Sequence, residues 1–292
     1  MTNQALAIGT FDGVHLGHRA VLDLARTLAG EQGTVTAVTF WPHPLAVIAP
    51  ESVPPLLQTM AAREDWLLEC GADEILLLDF TPQLAGLTPD EFVERMIAPL
   101  APVGVAVGEN FTFGARGAGT PDTMEQLAAG RFEVLASPTI EVNGRPVSSS
   151  AVRVLVQEGN AEEATALLGR DFAVRGIVVH GDHRGRQLGF PTANVLPDDE
   201  FVTPADGVYA GWLRIVDGGK PMPAAVSVGN NPTFGVTRRV EAHVLGVDID
   251  LYDQEVEIGV TNWLRGVITF ESIEALIAQL TQDVSKTAQL NR

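Results

Sequence analysis

Lysine is nearly missing from this chain: its 292 residues hold only Lys220 and Lys286. Neither ends a G-x-x-x-x-G-K run, because Arg214 stands where the first glycine is needed, so any use of ATP proceeds without a P-loop. Cysteine is represented by Cys70 alone, which excludes an internal disulfide, and no Cys/His cluster has the spacing of structural zinc; both fit a reducing cytoplasm. Long apolar runs are absent too. EILLLDF and PVGVAV fall well short of the roughly 20 residues that span a bilayer, and the N-terminus MTNQ lacks the layout of a signal peptide. The expectation is a soluble cytoplasmic protein with no membrane partner. Positive charge is scarce, with 19 Lys and Arg against 37 Asp and Glu and a net charge of −18. Broad nucleic-acid binding needs a basic surface and is excluded, so any phosphate site must be locally basic. Acidity of this degree does not require self-association, and a monomer or weak homo-oligomer is expected.

What the chain has is core-forming material: 46% of its residues are hydrophobic, and its length suits two domains. The first half alternates apolar runs with helical periodicity. Ala5 to Phe11 reads as a strand, followed by Val21, Leu24, Ala25 and Leu28 at helical spacing. TVTAVTFW is the next strand, Leu57 to Cys70 a helix, and EILLLDF a strand again. Thr88, Pro89 and Glu91 form a capping box with an N1 proline, and TPDTMEQLAAG repeats the start with Gly130 as its stop. Such alternation implies right-handed crossovers on a parallel sheet, with ligands outside the carboxyl ends of its strands. From Phe172 the segments become strand-like and turn-separated, as in an antiparallel barrel or sandwich. Ile273, Leu276, Ile277, Leu280 and Val284 form one apolar stripe on a closing helix. The fold class expected is α/β plus β, with domains 1–168 and 169–292.

IGTFDGVHLGHRA places His15 and His18 three residues apart in the first turn of a helix, hence on one face. Backbone N–H groups and the helix dipole favour an anion there, and two imidazoles add donors to the same phosphate. Gly9 and Gly13 allow a nucleotide to approach the backbone closely. The pair alone also suits two solvated helix residues; a metal site is disfavoured because no third ligand is nearby.

The stretch resembles the T-F-D-G-x-H-x-G-H signature of the nucleotidylyltransferase superfamily, in particular the prokaryotic bifunctional riboflavin kinase/FAD synthetase family. TFWPHP, VGENFTFG, SSSAVR, LGRDFAVRGIVVHGDHRGRQLGFPTAN, GVYAG, GNNPTFG, VEAHVL and DLY follow in the family's order and cover nearly the whole chain. The resemblance implies an N-terminal Rossmann-like nucleotidylyltransferase domain that adenylylates FMN to FAD and releases pyrophosphate. It also implies a C-terminal antiparallel β-barrel with a terminal helix, which phosphorylates riboflavin to FMN. ATP, riboflavin and FMN would be substrates, and Mg2+ the cofactor.

By resemblance, His15, His18, Asn110 and Arg153 are the catalytic residues of adenylyl transfer, and Gly9, Thr10, Phe11, Asp12, Gly13, Ser149 and Ser150 bind ATP. A helical Arg153 offers a fixed fork of donors to a phosphate, although the position also suits a surface arginine. TFWPHP lines the flavin side, or Trp41 is core. In the second domain Gly181, Arg184, Gly185 and Gly189 form the ATP-binding loop, with Arg186 adding charge, and Thr192 and Asn194 hold the metal. Glu241 is the general base; strand alternation puts it on one face with Arg239 and His243, a face that also reads as solvated.

The chain departs from the family at several points. Asn110 and Thr112 replace the acid and the base of G-E-D-F-R-F-G, Ser150 ends the serine/threonine run, Asp253 follows D-L-Y in place of glycine, and Val267 replaces a glutamate. A chain with one activity impaired, or a flavin-nucleotide binder without catalysis, are the competing readings. A different adenylyl or cytidylyl transfer would explain the first half and leave P-T-A-N without a role.

Overall fold

The computed structural model describes residues 3–181, 184–230, 238–247 and 249–290, without the side chains of Arg184 and Asn230. Asp182 and His183 of the glycine-rich loop, and residues 231–235 of GNNPTFG, lie outside the described residues. Two compact units are present. The first comprises Met1–Pro55 and Met60–Ser149, the second Leu56–Thr59 and Ser150–Arg292.

In the first unit β1 (Gln4–Ile8), α1 (Leu16–Ala29), β2 (Thr34–Trp41), α2 (Pro44–Ile48), α3 (Met60–Glu69) and β3 (Glu74–Asp79) follow one another. After the short α4 (Pro82–Ala85) and α5 (Pro89–Phe92) come β4 (Gly104–Gly108), α6 (Pro121–Ala128) and β5 (Glu133–Ser137). A two-strand hairpin, β6 (Glu141–Val142) and β7 (Arg145–Pro146), closes the unit. The main sheet is parallel throughout, in the order β3-β2-β1-β4-β5. Alternation along β1 explains the layers. Leu6 and Ile8 pack with Val38, Val105 and Met124 on one face, whereas the small Ala5 and Ala7 admit Leu22 and Ala25 of α1 on the other. A Cβ at Gly104 would lie 2.8 Å from the Leu28 side chain, so glycine lets α1 press onto β4.

The strand expected to reach Phe11 ends at Ile8, because Phe11 (φ 50°), Gly13 (φ 89°) and Val14 (φ 38°) take left-handed conformations that no strand accommodates. The expected helix from Leu57 begins at Met60; Leu56–Thr59 belongs to the second unit. The Thr88/Glu91 capping box forms, but α5 is only four residues long and passes into a π turn at Val93–Ile97. Helix α6 stops at Ala129, left-handed at φ 48°, one residue before Gly130.

In the second unit α7 (Ser149–Glu158) and α8 (Ala161–Leu168) precede β8 (Phe172–Val179), α9 (Arg184–Gln187) and β9 (Ala193–Val195). Then come β10 (Gly207–Ile215), β11 (Met222–Asn230), β12 (Arg238–Val244), β13 (Glu255–Arg265) and α10 (Ile273–Leu290). The strands close into an antiparallel barrel in the order β10-β11-β12-β9-β8-β13, with β13 returning to β10. Val226, Val228, Val240, Ala242 and Ile258 fill it and are fully buried.

Helix α10 forms as expected, and Leu276, Leu280 and Val284 of its stripe are half-buried on the side that also carries Asp283. Ile273 is 62% exposed and Ile277 is exposed too, while Asp283 and Thr287 are buried. The anchor is ionic: Arg265 donates to Asp283 at 2.7 and 3.0 Å, and Gln279 adds a bond at 2.9 Å.

Candidate active sites

Neighbouring strands β1 and β4 lead to the two halves of the sheet, so their carboxyl ends border the crevice where open α/β sheets bind ligands. The loops leaving them, 9–15 and 109–114, meet at a cavity of about 570 Å3, lined among others by Gly9, Thr10, His15, His18 and Asn110. His15 caps α1: its Nδ1 accepts the His18 N–H at 3.3 Å. With Nδ1 accepting, Nε2 is the ring nitrogen left to donate toward a ligand. The two imidazoles stack with centroids 3.6 Å apart, and Phe11 meets His18 edge-on at 5.2 Å. A Cβ at Gly17 would come within 3.2 Å of the His15 ring, which is why the motif leaves that position bare.

Phe11 and Asp12 turn their side chains inward, Asp12 toward buried Arg63 of α3. The Asp12 carbonyl accepts the Ser149 hydroxyl at 2.8 Å, pinning the loop from behind. Beyond β4, the Glu109 carboxylate accepts the Thr139 hydroxyl and, at 2.8 Å, the Thr139 N–H. These two bonds hold the Glu109 carboxyl below its ordinary range. Asn110 Nδ2 donates to the same hydroxyl oxygen at 3.2 Å.

The barrel carries a second cavity, of about 300 Å3, lined by Gly181, Gly185, Thr192, Asn194 and Glu241, with Arg186 and Arg239 supplying positive charge. Asn194 and Glu241 are register partners across β9 and β12. Thr192 Oγ1 donates to Glu241 at 3.4 Å, and Asn194 donates to the Thr192 carbonyl at 3.1 Å. Glycines make this closeness feasible: a Cβ would lie 2.7 Å from the Asn194 amide at Gly181 and 2.3 Å from the Phe190 carbonyl at Gly185. His243, two residues from Glu241 on β12, donates through Nδ1 to the Pro191 carbonyl at 2.8 Å and steadies the P-T-A-N segment.

A family model described as FAD synthetase matches residues 1–151, and one described as riboflavin kinase matches residues 168–291. The bifunctional riboflavin kinase/FMN adenylyltransferase of Listeria monocytogenes is 35% identical over 289 residues, covering 98% of this chain and 91% of that protein. This chain belongs to the bifunctional riboflavin kinase/FMN adenylyltransferase family. The Escherichia coli K12 member is 36% identical over 285 residues, covering 95% of this chain and 90% of its own. A solved structure named as a macrolide-efflux protein from Streptococcus pneumoniae superposes with a TM-score of 0.87 at 32% identity, covering 98% of this chain and 94% of that one. Efflux is said of that protein by its name; among the described residues here, no helix is long and apolar enough to cross a membrane.

Within this bifunctional frame, His15, His18 and Asn110 share the first cavity with Gly9 and Thr10, while Phe11, Asp12 and Gly13 back it from the loop. Ser150 and Arg153 fall in the second compact unit; Ser150 is exposed, and Arg153 is buried one turn along α7. Thr192, Asn194 and Glu241 share the second cavity with Gly181 and Gly185. Gly189 takes φ 86° in the turn after α9, and the Arg184 side chain is outside the described residues. Of TFWPHP, Phe40, His43 and Pro44 line the first cavity and Trp41 is half-buried. Sequence reasoning missed Thr139 and Arg63 as neighbours of that cavity's machinery and gave Arg239 no role. Only the alternation of β12, which puts Arg239 beside Glu241, carried a signal for any of them.

Proposed function

We propose that each cavity performs one of the two reactions of the family. In the barrel, the riboflavin 5′-hydroxyl oxygen attacks the γ-phosphorus of ATP, ADP leaves, and Glu241 takes the hydroxyl proton. In the Rossmann-like unit, an FMN phosphate oxygen attacks the α-phosphorus of a second ATP and pyrophosphate leaves. His15 through Nε2–H, His18 and the α1 N-terminus steady the charge on the transferring phosphates. The family resemblance assigns Ser149, Ser150 and Arg153 to nucleotide binding as well. The observation that carries the reading is that residues scattered along the sequence converge on two cavities, His15, His18 and Asn110 on one and Thr192, Asn194 and Glu241 on the other.

The Thr192 hydroxyl and the Asn194 amide oxygen are hard, neutral donors beside a carboxylate and suit Mg2+. Among the described residues no group of three or more His, Cys, Asp or Glu could hold a metal, so the nucleotide phosphates would supply the remaining charge. Magnesium bound there would neutralise phosphate charge during transfer. A functional boundary at 168/169, a cytoplasmic location and a monomeric or weakly associating chain complete the proposal. The short apolar runs, the single cysteine and the net charge of −18 support the last two.

The test is incubation of the pure chain with riboflavin, ATP and magnesium, separating flavins over time; FMN should precede FAD. His15→Ala should abolish FAD formation and spare FMN formation, and Glu241→Ala should do the reverse when FMN is added. Loss of both steps in either folded variant would overturn the division of labour.

A further inference from the structure

Glu109, Asn110 and Thr139 all line the first cavity, and their donors and acceptors form a closed account. The ladder between β4 and β5 runs on one step, with the Glu109 N–H donating to the Ser137 carbonyl at 2.8 Å, and this brings the loop after β5 against the loop after β4. A threonine hydroxyl has one proton. The Glu109 carboxylate can only accept, so it takes that proton, and it is held in place by the Thr139 N–H as well. The Thr139 oxygen is left as an acceptor. Toward that oxygen a group at position 110 can therefore only donate, as Asn110 Nδ2 does at 3.2 Å. A carboxylate at 110 would turn lone pairs toward that oxygen and put a second negative charge beside Glu109.

We propose that Thr139 is a positioning residue of the adenylyl-transfer site: together with Glu109 it fixes the polarity of the Asn110 amide, so that this site requires an amide and rejects a carboxylate at 110. The proposal rests on reading the cavity as the FMN adenylyltransferase site. Its consequence for substrate is electrostatic. With one amide hydrogen committed to Thr139, position 110 offers the nucleotide a neutral edge of one carbonyl oxygen and one N–H. The departure at Asn110 is thus matched by a partner 29 residues away, and the two belong together.

The test measures kcat/KM for FAD formation from FMN and ATP in the full chain, with riboflavin phosphorylation by the same preparation as the control for folding and concentration. Asn110→Asp should lower FAD formation at least about tenfold, and Thr139→Val about fivefold. Thr139→Ser keeps the hydroxyl and should stay within about twofold of the parent. The decisive variant is the double change Glu109→Gln with Asn110→Asp. A glutamine can donate to the Thr139 oxygen, freeing the hydroxyl proton for the new carboxylate, and should recover about fivefold of the Asn110→Asp loss. If the two losses simply multiply, or Thr139→Val matches Thr139→Ser, the proposal is overturned. Should Asn110→Asp also depress riboflavin phosphorylation, the Val/Ser comparison at Thr139 alone decides. His15→Ala separates the two levels. FAD formation surviving that change overturns the site reading and this proposal with it, whereas its loss alongside multiplying effects at 109 and 110 overturns this proposal alone.

Discussion

Arg63 and Asp12 face each other across 3.7 Å, both shut away from water behind the loop that carries His15. Among the described residues none of the guanidinium nitrogens has a hydrogen-bond partner. Burial lowers the Arg63 pKa and the Asp12 charge opposes that shift. A buried charge of this kind is tolerated only with its counter-charge close by, so the pair ties α3 to the Gly9–His15 loop. Arg63→Met, which strips Asp12 of that counter-charge, should cost about 3 kcal/mol in urea unfolding and reduce FAD formation. Adding Asp12→Asn to Arg63→Met should cost less than the two single changes summed.

Asp253, an expected departure from the family pattern, takes φ 62°, while its N–H bonds the Val178 carbonyl at 3.0 Å. The departure is therefore a matter of backbone conformation. Aspartate tolerates the left-handed region better than most side chains but less well than glycine. Asp253→Gly should raise stability by about 0.5 kcal/mol, after the extra freedom of the unfolded chain is set against the relieved strain, and leave riboflavin phosphorylation unchanged. Thermal unfolding and a kinase assay check both halves.

Asp283→Ala should detach α10 from the barrel, because it leaves the Arg265 guanidinium, itself mostly buried, without its two-pronged acceptor. A loss of about 2–4 kcal/mol is expected. Riboflavin phosphorylation should fall while FAD formation from added FMN persists, which parallel assays of the two reactions would show.

Asp73 accepts the Val35 N–H at 2.7 Å and Arg26 at 2.6 Å, and these bonds, the first foremost, hold its carboxyl below 3.8. A carboxyl with a depressed folded pKa stabilises fully above its unfolded value and loses that contribution as pH falls through the folded one. Its side chain is 47% exposed, so the effect is small. The stability gap between the parent and Asp73→Asn should be constant near neutrality and close as the pH falls below 3.8. Urea midpoints across that range give the answer.

The parallel sheet was legible because strands covered on both faces read as unbroken apolar runs, and the caps at Thr88 and Thr120 announced their helices. His15, His18, Asn110, Thr192 and Glu241 were legible because each lies in a contiguous motif. Thr139 and Arg63 were not, since their relation to the first cavity exists only after β5 and α3 have docked. On α10 the apolar stripe was legible but the ion pair was not. Periodicity weighs apolarity along one helix, whereas the actual anchor of Asp283 comes from Arg265 on β13.

Leu56–Thr59 sits among first-unit residues in the sequence but packs with the barrel-bearing unit. There Leu56 exchanges backbone bonds of 2.8 Å with Glu200 and Val202, and Gln58 accepts from Arg170 at 3.0 Å. No single cut through the gene can therefore release a carboxy-terminal fragment complete in its own wall. A stand-alone riboflavin kinase excised from this polypeptide would have to carry the displaced tetrapeptide back as a graft, or rebuild the edge it once covered.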